Sequence, residues 1–264
     1  MESRLDFSVI FLSKNSMDTV EKSIKSLVNQ KKKNIEILVL DGGSTDSTIN
    51  ILDRYKSEFD YYCSEYDDGP VNAINKGLKI ARGRYLIVMS SDDMLQNGYF
   101  DNLNKYISYN SDVISTPLLL VGNNISYKFY NGINDLYFSY KKILFSPLSN
   151  SRIIKKEIYE RLGGYDENYK FCSDLDFLLK VASIKDLNFI DIDGPGYVFL
   201  VHDKSRTSGG LHLKEIYYEE IRIYFKNLKL NIYIFFVSYL MLRLIKKIAI
   251  WHIKLFLVKI NIST

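Results

Sequence analysis

Over the first ninety-five residues, apolar and polar positions alternate between two periods. Phe7-Ser-Val-Ile-Phe-Leu12 is a short apolar run that reads as a strand, followed by Ser13-Lys14-Asn15 as a loop. From Met17 to Asn29 the apolar residues fall at Val20, Ile24, Leu27 and Val28, the spacing of a helix packed by one face. Ile35 to Leu40 reads as a second strand, ending at Asp41-Gly-Gly-Ser-Thr-Asp46, where paired glycines permit close backbone approach. Asp46 or Ser47 is suited to cap a helix running to about Tyr55. A third strand near Tyr61 to Cys63 leads through Ser64-Glu-Tyr-Asp-Asp-Gly-Pro70 into a helix over 71–81. Arg84-Tyr-Leu-Ile-Val-Met-Ser-Ser-Asp-Asp93 then forms a fourth apolar strand that stops at two adjacent carboxylates.

Strand and helix alternate three times with short connections, which predicts a mostly parallel sheet built by right-handed crossovers and covered by helices on both faces. Ligands of such sheets bind just beyond the carboxyl ends of the strands. Asp92 and Asp93 sit at such an end, where like charges a few ångströms apart oppose each other's ionisation. A divalent cation carrying substrate phosphates removes that penalty through oxygen ligands. The plainer reading is that Ser91, Asp92 and Asp93 cap a following helix. Asp41 is either a turn residue or a strand-end carboxylate that accepts from a base or ribose. Neither a Walker phosphate loop nor a dinucleotide glycine fingerprint is present in the sequence.

The second half is less periodic. Residues 97–110 read as a helix, Asp112 to Thr116 as a strand, and Ile125 to Tyr130 as a hairpin strand. Tyr127, Tyr130, Tyr137, Phe138 and Tyr140 offer either a satellite core or stacking faces for sugar rings. A helix within 152–167 ends at a glycine C-cap. Another begins near Asp174, with apolar residues at Leu175, Leu178 and Leu179. Asp174 reads as a helix N-cap, with Asp176 two residues into the same first turn. Tyr197 to Val201 is a strand, and 202–212 a loop in which Arg206 or His212 is available to a phosphate.

Composition narrows the class. The chain of 264 residues is 47% hydrophobic and 25% charged, a globular balance. Cys63 and Cys172 have no disulfide-framework or zinc spacing, which fits a reducing cytosol, and the N-terminus carries no signal pattern. The net charge of +4 is unevenly spread: residues 222–264 hold eight Lys or Arg and no acid, leaving a mildly acidic body. That argues against nucleic acid as partner and for a tail that meets something anionic. Ile232 to Leu242 is apolar but too short to span a bilayer. Arg243, Lys246, Lys247 and Lys254 share one helical face, as in a helix lying in a membrane interface. Packing on the body, or on a second copy as a homo-oligomer, is the alternative.

Several of these stretches together carry a resemblance. Ile35-Glu-Ile-Leu-Val-Leu-Asp-Gly-Gly-Ser-Thr-Asp-Ser-Thr48 resembles the second-strand motif of the family 2 glycosyltransferases. Ser64-Glu-Tyr-Asp-Asp-Gly69 with Asn75-Lys-Gly77, and Ala81 to Asp93, are similar to the motifs that follow it. Phe171-Cys-Ser-Asp-Leu-Asp-Phe-Leu-Leu-Lys180 resembles the acceptor-side motif. The match covers roughly residues 6–183.

The resemblance implies an α/β GT-A fold with a nucleotide-binding half over 1–95 and an acceptor half over 96–225. A C-terminal helical extension, the basic apolar tail, occupies 226–264. It implies an inverting glycosyltransferase that moves a sugar from a nucleotide-sugar donor to a glycan hydroxyl. That acceptor is expected to be lipid-linked, in surface polysaccharide assembly at the cytoplasmic membrane face. Asp41 and Asp67 would hold the nucleoside together with Ser13, Asp92 the ribose, and Asp93 a Mn²⁺ or Mg²⁺ ion. Asp174 would be the general base. Three positions depart from the family pattern: Ser90 stands where many members have a third acid, Asn72 where Asp is frequent, and Ser149-Asn150 where His-Gln is usual. Two other readings stand beside this one: a nucleotide-sugar-binding or scaffold protein without turnover, and a nucleotidyltransferase. The latter would want a Gly-rich basic loop near the N-terminus, and Ser13-Lys-Asn-Ser16 is a poor one.

Overall fold

The computed structural model describes residues 5–122, 125–129, 151–202 and 212–227. The chain divides into two compact units, residues 1–219 and 220–264. The expected boundary at 225 lies within a helix, Leu213–Asn227, that belongs to both. Most of the basic tail, and the positions Tyr130 to Asn150 and Arg206, lie outside the described residues. No helix among the described residues is long and apolar enough to cross a membrane.

Four parallel strands form the centre: β1 (Phe7–Ser13), β2 (Ile35–Asp41), β3 (Tyr61–Ser64) and β4 (Tyr85–Ser90). β1 lies between β2 and β4 in parallel register, Phe7 opposite Ile35 and Tyr85, and β3 adds outside β2. All seven residues of β2 are buried, as a strand covered on both faces requires. On one face Phe7, Val9 and Phe11 join Ile37, Val39, Ile87 and Met89 in a core closed by Val20, Ile24 and Leu27 of α1 (Val20–Val28). On the other face α3 (Pro70–Ile80) covers Ile10, with Gly77 so close that a Cβ there would lie 2.7 Å from Ile10. Between them in the chain stands α2 (Thr48–Asp53).

The sheet continues through β6 (Val113–Ser115), β9 (Arg152–Lys155) and β10 (Phe189–Asp191), in the order β10-β6-β9-β4-β1-β2-β3. β9 runs antiparallel to both neighbours. It was not legible beforehand, because four residues with one apolar pair cannot be told from the start of α5 (Lys156–Leu162). A second, four-stranded sheet has the order β5-β11-β7-β8, built from β5 (Met94–Leu95), β7 (Leu118–Gly122), β8 (Ile125–Phe129) and β11 (Tyr197–Val201). The helix expected over 97–110 is shorter: α4 (Tyr99–Asn104), then a turn of 3₁₀ helix at Ile107–Tyr109. Gly163 caps α5 in the left-handed region at φ 78°, as its position after the apolar repeat predicts. The described chain ends with α6 (Ser173–Ala182) and α7 (Leu213–Asn227).

One buried charge ties the amino edge of the sheet. Glu36 is fully buried in β2 and accepts from Ser8 Oγ (2.6 Å), Arg82 Nε (2.8 Å) and the Gly83 N–H (3.2 Å). Gly83 approaches so closely that a Cβ would lie 2.5 Å from the Ser8 backbone nitrogen. Gly83→Ala is therefore expected to cost about 2–3 kcal/mol, since backbone rather than a flexible side chain would have to shift. Gly163→Ala, where a Cβ meets nothing within 4 Å and only the positive φ resists, is expected to cost about 1–2 kcal/mol. Urea unfolding of the two variants checks the order, and a reversal would sink this account of the edge.

Candidate functional site

A cleft of about 850 Å³ opens at the carboxyl ends of β1, β2 and β4. Leu12, Ser13 and Lys14 line it from β1, Leu40 from β2 and Ser90 from β4. The segment Tyr66 to Ala73 forms another wall, and Glu167, Tyr169 and Lys170 close it from the second half of the chain. Residues from both halves thus face one space, as ligand binding at the carboxyl edge of such a sheet requires.

Asp41 anchors the floor. It is 3% exposed and accepts from Ser13 Oγ (2.8 Å), Ser44 Oγ (2.5 Å), Ser64 Oγ (2.8 Å) and the Ser44 N–H (2.8 Å). The hydroxyls come from β1, from the turn after β2 and from β3, so one carboxylate ties three strand ends. Its donors are protein groups, and of this cluster it is Ser13 that faces the cleft. Asp67 lines the cleft directly. One of its oxygens accepts the Gly69 N–H (3.0 Å), and the carboxylate rests against Gly42, where a Cβ would stand 2.9 Å from Oδ2. This accounts for the first of the paired glycines. Asn72 also lines the cleft, from the first turn of α3.

The adjacent acids after β4 are placed differently. Asp92 is partly exposed, and its Oδ2 lies 3.0 Å from His202 Nε2. Asp93 is 1% exposed and is enclosed by the Tyr197 hydroxyl (2.6 Å to Oδ2) and the Leu200 N–H (3.3 Å to Oδ1). Burial and the neighbouring Asp93 carboxylate hold the Tyr197 hydroxyl well above the usual phenol range, so it is a proton donor to Asp93 at any ordinary pH. Asp93, expected at the metal, thus faces β11, while Asp92, expected at the ribose, meets an imidazole. No local pattern points to Tyr197 or His202 as site residues, since they lie 104 and 110 residues from these partners. Among the described residues no group of three or more His, Cys, Asp or Glu gathers as a metal centre.

Asp174 stands in the first turn of α6, partly exposed, and Oδ1 accepts the Leu175 N–H (2.8 Å). Burial pulls the nearby Arg152 guanidinium down to about 10, against the opposing pull of Asp191 and Asp174, which leaves it charged at neutral pH. Asp176 is fully buried beside Lys180 (2.6 Å), which fits a structural acid better than a base that must reach solvent-borne substrate. The chain leading into α6 is held by Glu219, whose carboxylate accepts the N–H groups of Lys170 (2.8 Å), Phe171 (2.8 Å) and Cys172 (3.0 Å). Asn75 clasps the backbone of Tyr165 in both directions at 2.9 Å, so α3 and the acceptor-side loop are joined. The His212 ring packs against Phe171 at 4.8 Å.

A mostly parallel sheet with a cleft lined by hydroxyls and carboxylates at its carboxyl edge defines the class, an α/β protein with an open-sheet ligand site. The chain belongs to glycosyl transferase family 2, whose model matches residues 8–163. It is 32% identical over 123 residues to the UDP-Glc:α-D-GlcNAc-diphosphoundecaprenol β-1,3-glucosyltransferase WfaP of Escherichia coli, covering 44% of this chain and 49% of that protein. The chain thus spans about half the length of that relative. Its fold is that of S. aureus TarS, solved with UDP-GlcNAc, at TM-score 0.65 and 20% identity over 78% of this chain and 61% of that one. The mannosyltransferase PcManGT of Pyrobaculum calidifontis, solved with GDP-Man and Mn²⁺, matches at TM-score 0.57 and 18% identity, covering 83% of this chain and 65% of its own. The architecture is GT-A.

Tyr197→Phe is expected to destabilise the protein by about 1.5–3 kcal/mol, because a buried carboxylate loses its best donor without regaining water. Denaturant unfolding reads this directly. Wild-type stability in the variant would mean that Asp93 is not enclosed as described.

Proposed function

We propose that the protein is an inverting glycosyltransferase that moves a sugar from a nucleotide-sugar donor to a hydroxyl of a lipid-linked glycan, in surface polysaccharide assembly. The observation that carries this reading is the single cleft lined by Ser13, Asp67 and Ser90 from one half and by Glu167, Tyr169 and Lys170 from the other. Donor and acceptor can meet there. WfaP, which by its name acts on a diphosphoundecaprenol-linked sugar, supports a lipid-linked acceptor. The basic, apolar segment after residue 226 supports docking at the cytoplasmic membrane face.

The proposed roles draw on the motifs of the sequence and on the positions described above. Ser13 and Asp67 face the nucleoside, with Asp41 holding Ser13 in place from below. Asp92 Oδ2 and His202 Nε2 stand 3.0 Å apart, about the separation of adjacent ligands around an ion with bonds of about 2.1 Å. A carboxylate with an imidazole suits Mn²⁺ better than Mg²⁺. Asp93 would have to break two hydrogen bonds to reach an ion, which argues for Asp92 and His202 as its holders. Bound there, the ion would offset charge on the leaving nucleoside diphosphate. Asp174 accepts the proton of the acceptor hydroxyl as its oxygen bonds to the anomeric carbon and the carbon–phosphate oxygen bond breaks. Attack opposite the leaving group inverts that carbon.

Asp174→Asn is expected to keep donor binding, measured calorimetrically, while transfer to a lipid-linked acceptor falls about 100-fold or more. Turnover equal to wild type would remove Asp174 as base. In wild type, chelation is expected to abolish transfer and added Mn²⁺ to restore it. In His202→Ala the Mn²⁺ needed for half-activity is expected to rise about 10- to 100-fold. An activity indifferent to chelator would end the metal assignment.

A further inference from the structure

Tyr66 stands out on the cleft wall. It is 81% exposed, the most exposed large aromatic in the described chain, although a tyrosine ring usually buries much of its apolar body. Its backbone is not loose. The turn after β2 packs beneath it, and a Cβ on Gly43 would lie 3.1 Å from the Tyr66 nitrogen, which with φ +74° accounts for the second of the paired glycines. An anchored backbone therefore projects a free ring into a cleft. Its neighbour Asp67 presents a carboxylate to the same space. The ring face holds a cation: Lys14 Nζ lies 5.0 Å from the centroid. Lys14 is exposed, lines the cleft and follows Ser13 directly, so its anchor is the end of β1 while its head rests on the loop after β3. Cation–π contacts at exposed sites are weak enough to be exchanged for a better partner.

We propose that Tyr66 is the stacking face for the donor's nucleobase and that Lys14 is a latch, resting on the ring until a donor arrives. The base displaces the ammonium from the ring, and the four-carbon stem carries it to the donor's diphosphate, where a compact point charge binds well. Asp67 beside the ring accepts a ring N–H at the base edge, which favours uracil or guanine over bases that lack that proton. The inference rests on the donor-binding reading above and adds the residues that select the base and sense the phosphates.

The test is calorimetry on the full chain with uridine, UDP, guanosine, GDP and inorganic diphosphate, in wild type, Tyr66→Ala, Tyr66→Phe and Lys14→Met. Tyr66→Ala is expected to weaken nucleoside and nucleoside diphosphate alike by about 5- to 100-fold, and Tyr66→Phe to restore both. Lys14→Met is expected to lower the ratio of diphosphate to nucleoside affinity about tenfold. Tyr66→Ala binding nucleoside as tightly as wild type overturns the stacking face, and an unchanged ratio in Lys14→Met overturns the latch. Wild type binding none of the five probes would instead remove the donor-binding reading, and this inference with it.

Discussion

One buried carboxylate holds the working edge of this molecule together. Asp41 ends β2 at 3% exposure, and an ionised group so placed is tolerable only if its lone pairs are met by donors. Three serine hydroxyls and a backbone N–H meet them, from β1, the β2 turn and β3. The strands alone leave their carboxyl ends free to splay. The carboxylate converts three ends into one platform, and part of what faces the cleft from the first half stands on it: Ser13, Lys14 and the Tyr66-Asp67 loop that follows β3. The amino edge is tied in the same manner by Glu36, again an anion in β2, which binds Ser8 of β1 and the Arg82-Gly83 segment that leads into β4. With an acid near each end of β2, the parallel part of the sheet is stiff where a ligand needs it stiff.

The strands of the first half and their parallel pairing are readable because period and burial agree there. A strand buried on both faces has to be apolar throughout, and β1, β2 and β4 are the densest such runs in the first half of the chain. The acids at the strand ends were equally visible, since nothing but a loop or a site explains a carboxylate that stops an apolar run. Which way each acid points was not visible. Asp92 and Asp93 are adjacent and chemically alike, and a rotation of one residue along an extended chain exchanges inside for outside. What separates them is β11, which brings Tyr197 and Leu200 to one and His202 to the other. No local pattern contains that information.

The second half was harder for a related reason. β9 and β10 are of four and three residues, too short to show a period, and they are strands only because β6 and β4 lend them partners. Glu219 and Asn75 act through backbone groups that carry no sequence mark at all. Glu219 fills a cup of three N–H groups, and Asn75 imitates a strand partner for Tyr165. Glu219 has no motif to mark it, and Asn75, though it belongs to Asn75-Lys76-Gly77, is not told by that motif what it binds.

The acids of this chain thus divide by what surrounds them, not by where they fall in a motif. Asp41, Glu36, Asp93 and Asp176 are buried against protein donors, and their negative charge is already committed to holding strands and helices. Asp67, Asp92 and Asp174 keep part of their surface open. A carboxylate that is to grip a nucleoside, an ion or a proton must have an oxygen to spare when the substrate arrives, and a substrate seldom repays the loss of two good internal hydrogen bonds. An acid available to a ligand is therefore to be sought in the second group, with the first group fixing where it stands. Two of the open acids stand close before a buried one in the chain, Asp92 directly before Asp93 and Asp174 two residues before Asp176. In both pairs the closed member is tied to protein groups while the open one keeps part of its surface accessible, so two acids divide anchoring from access.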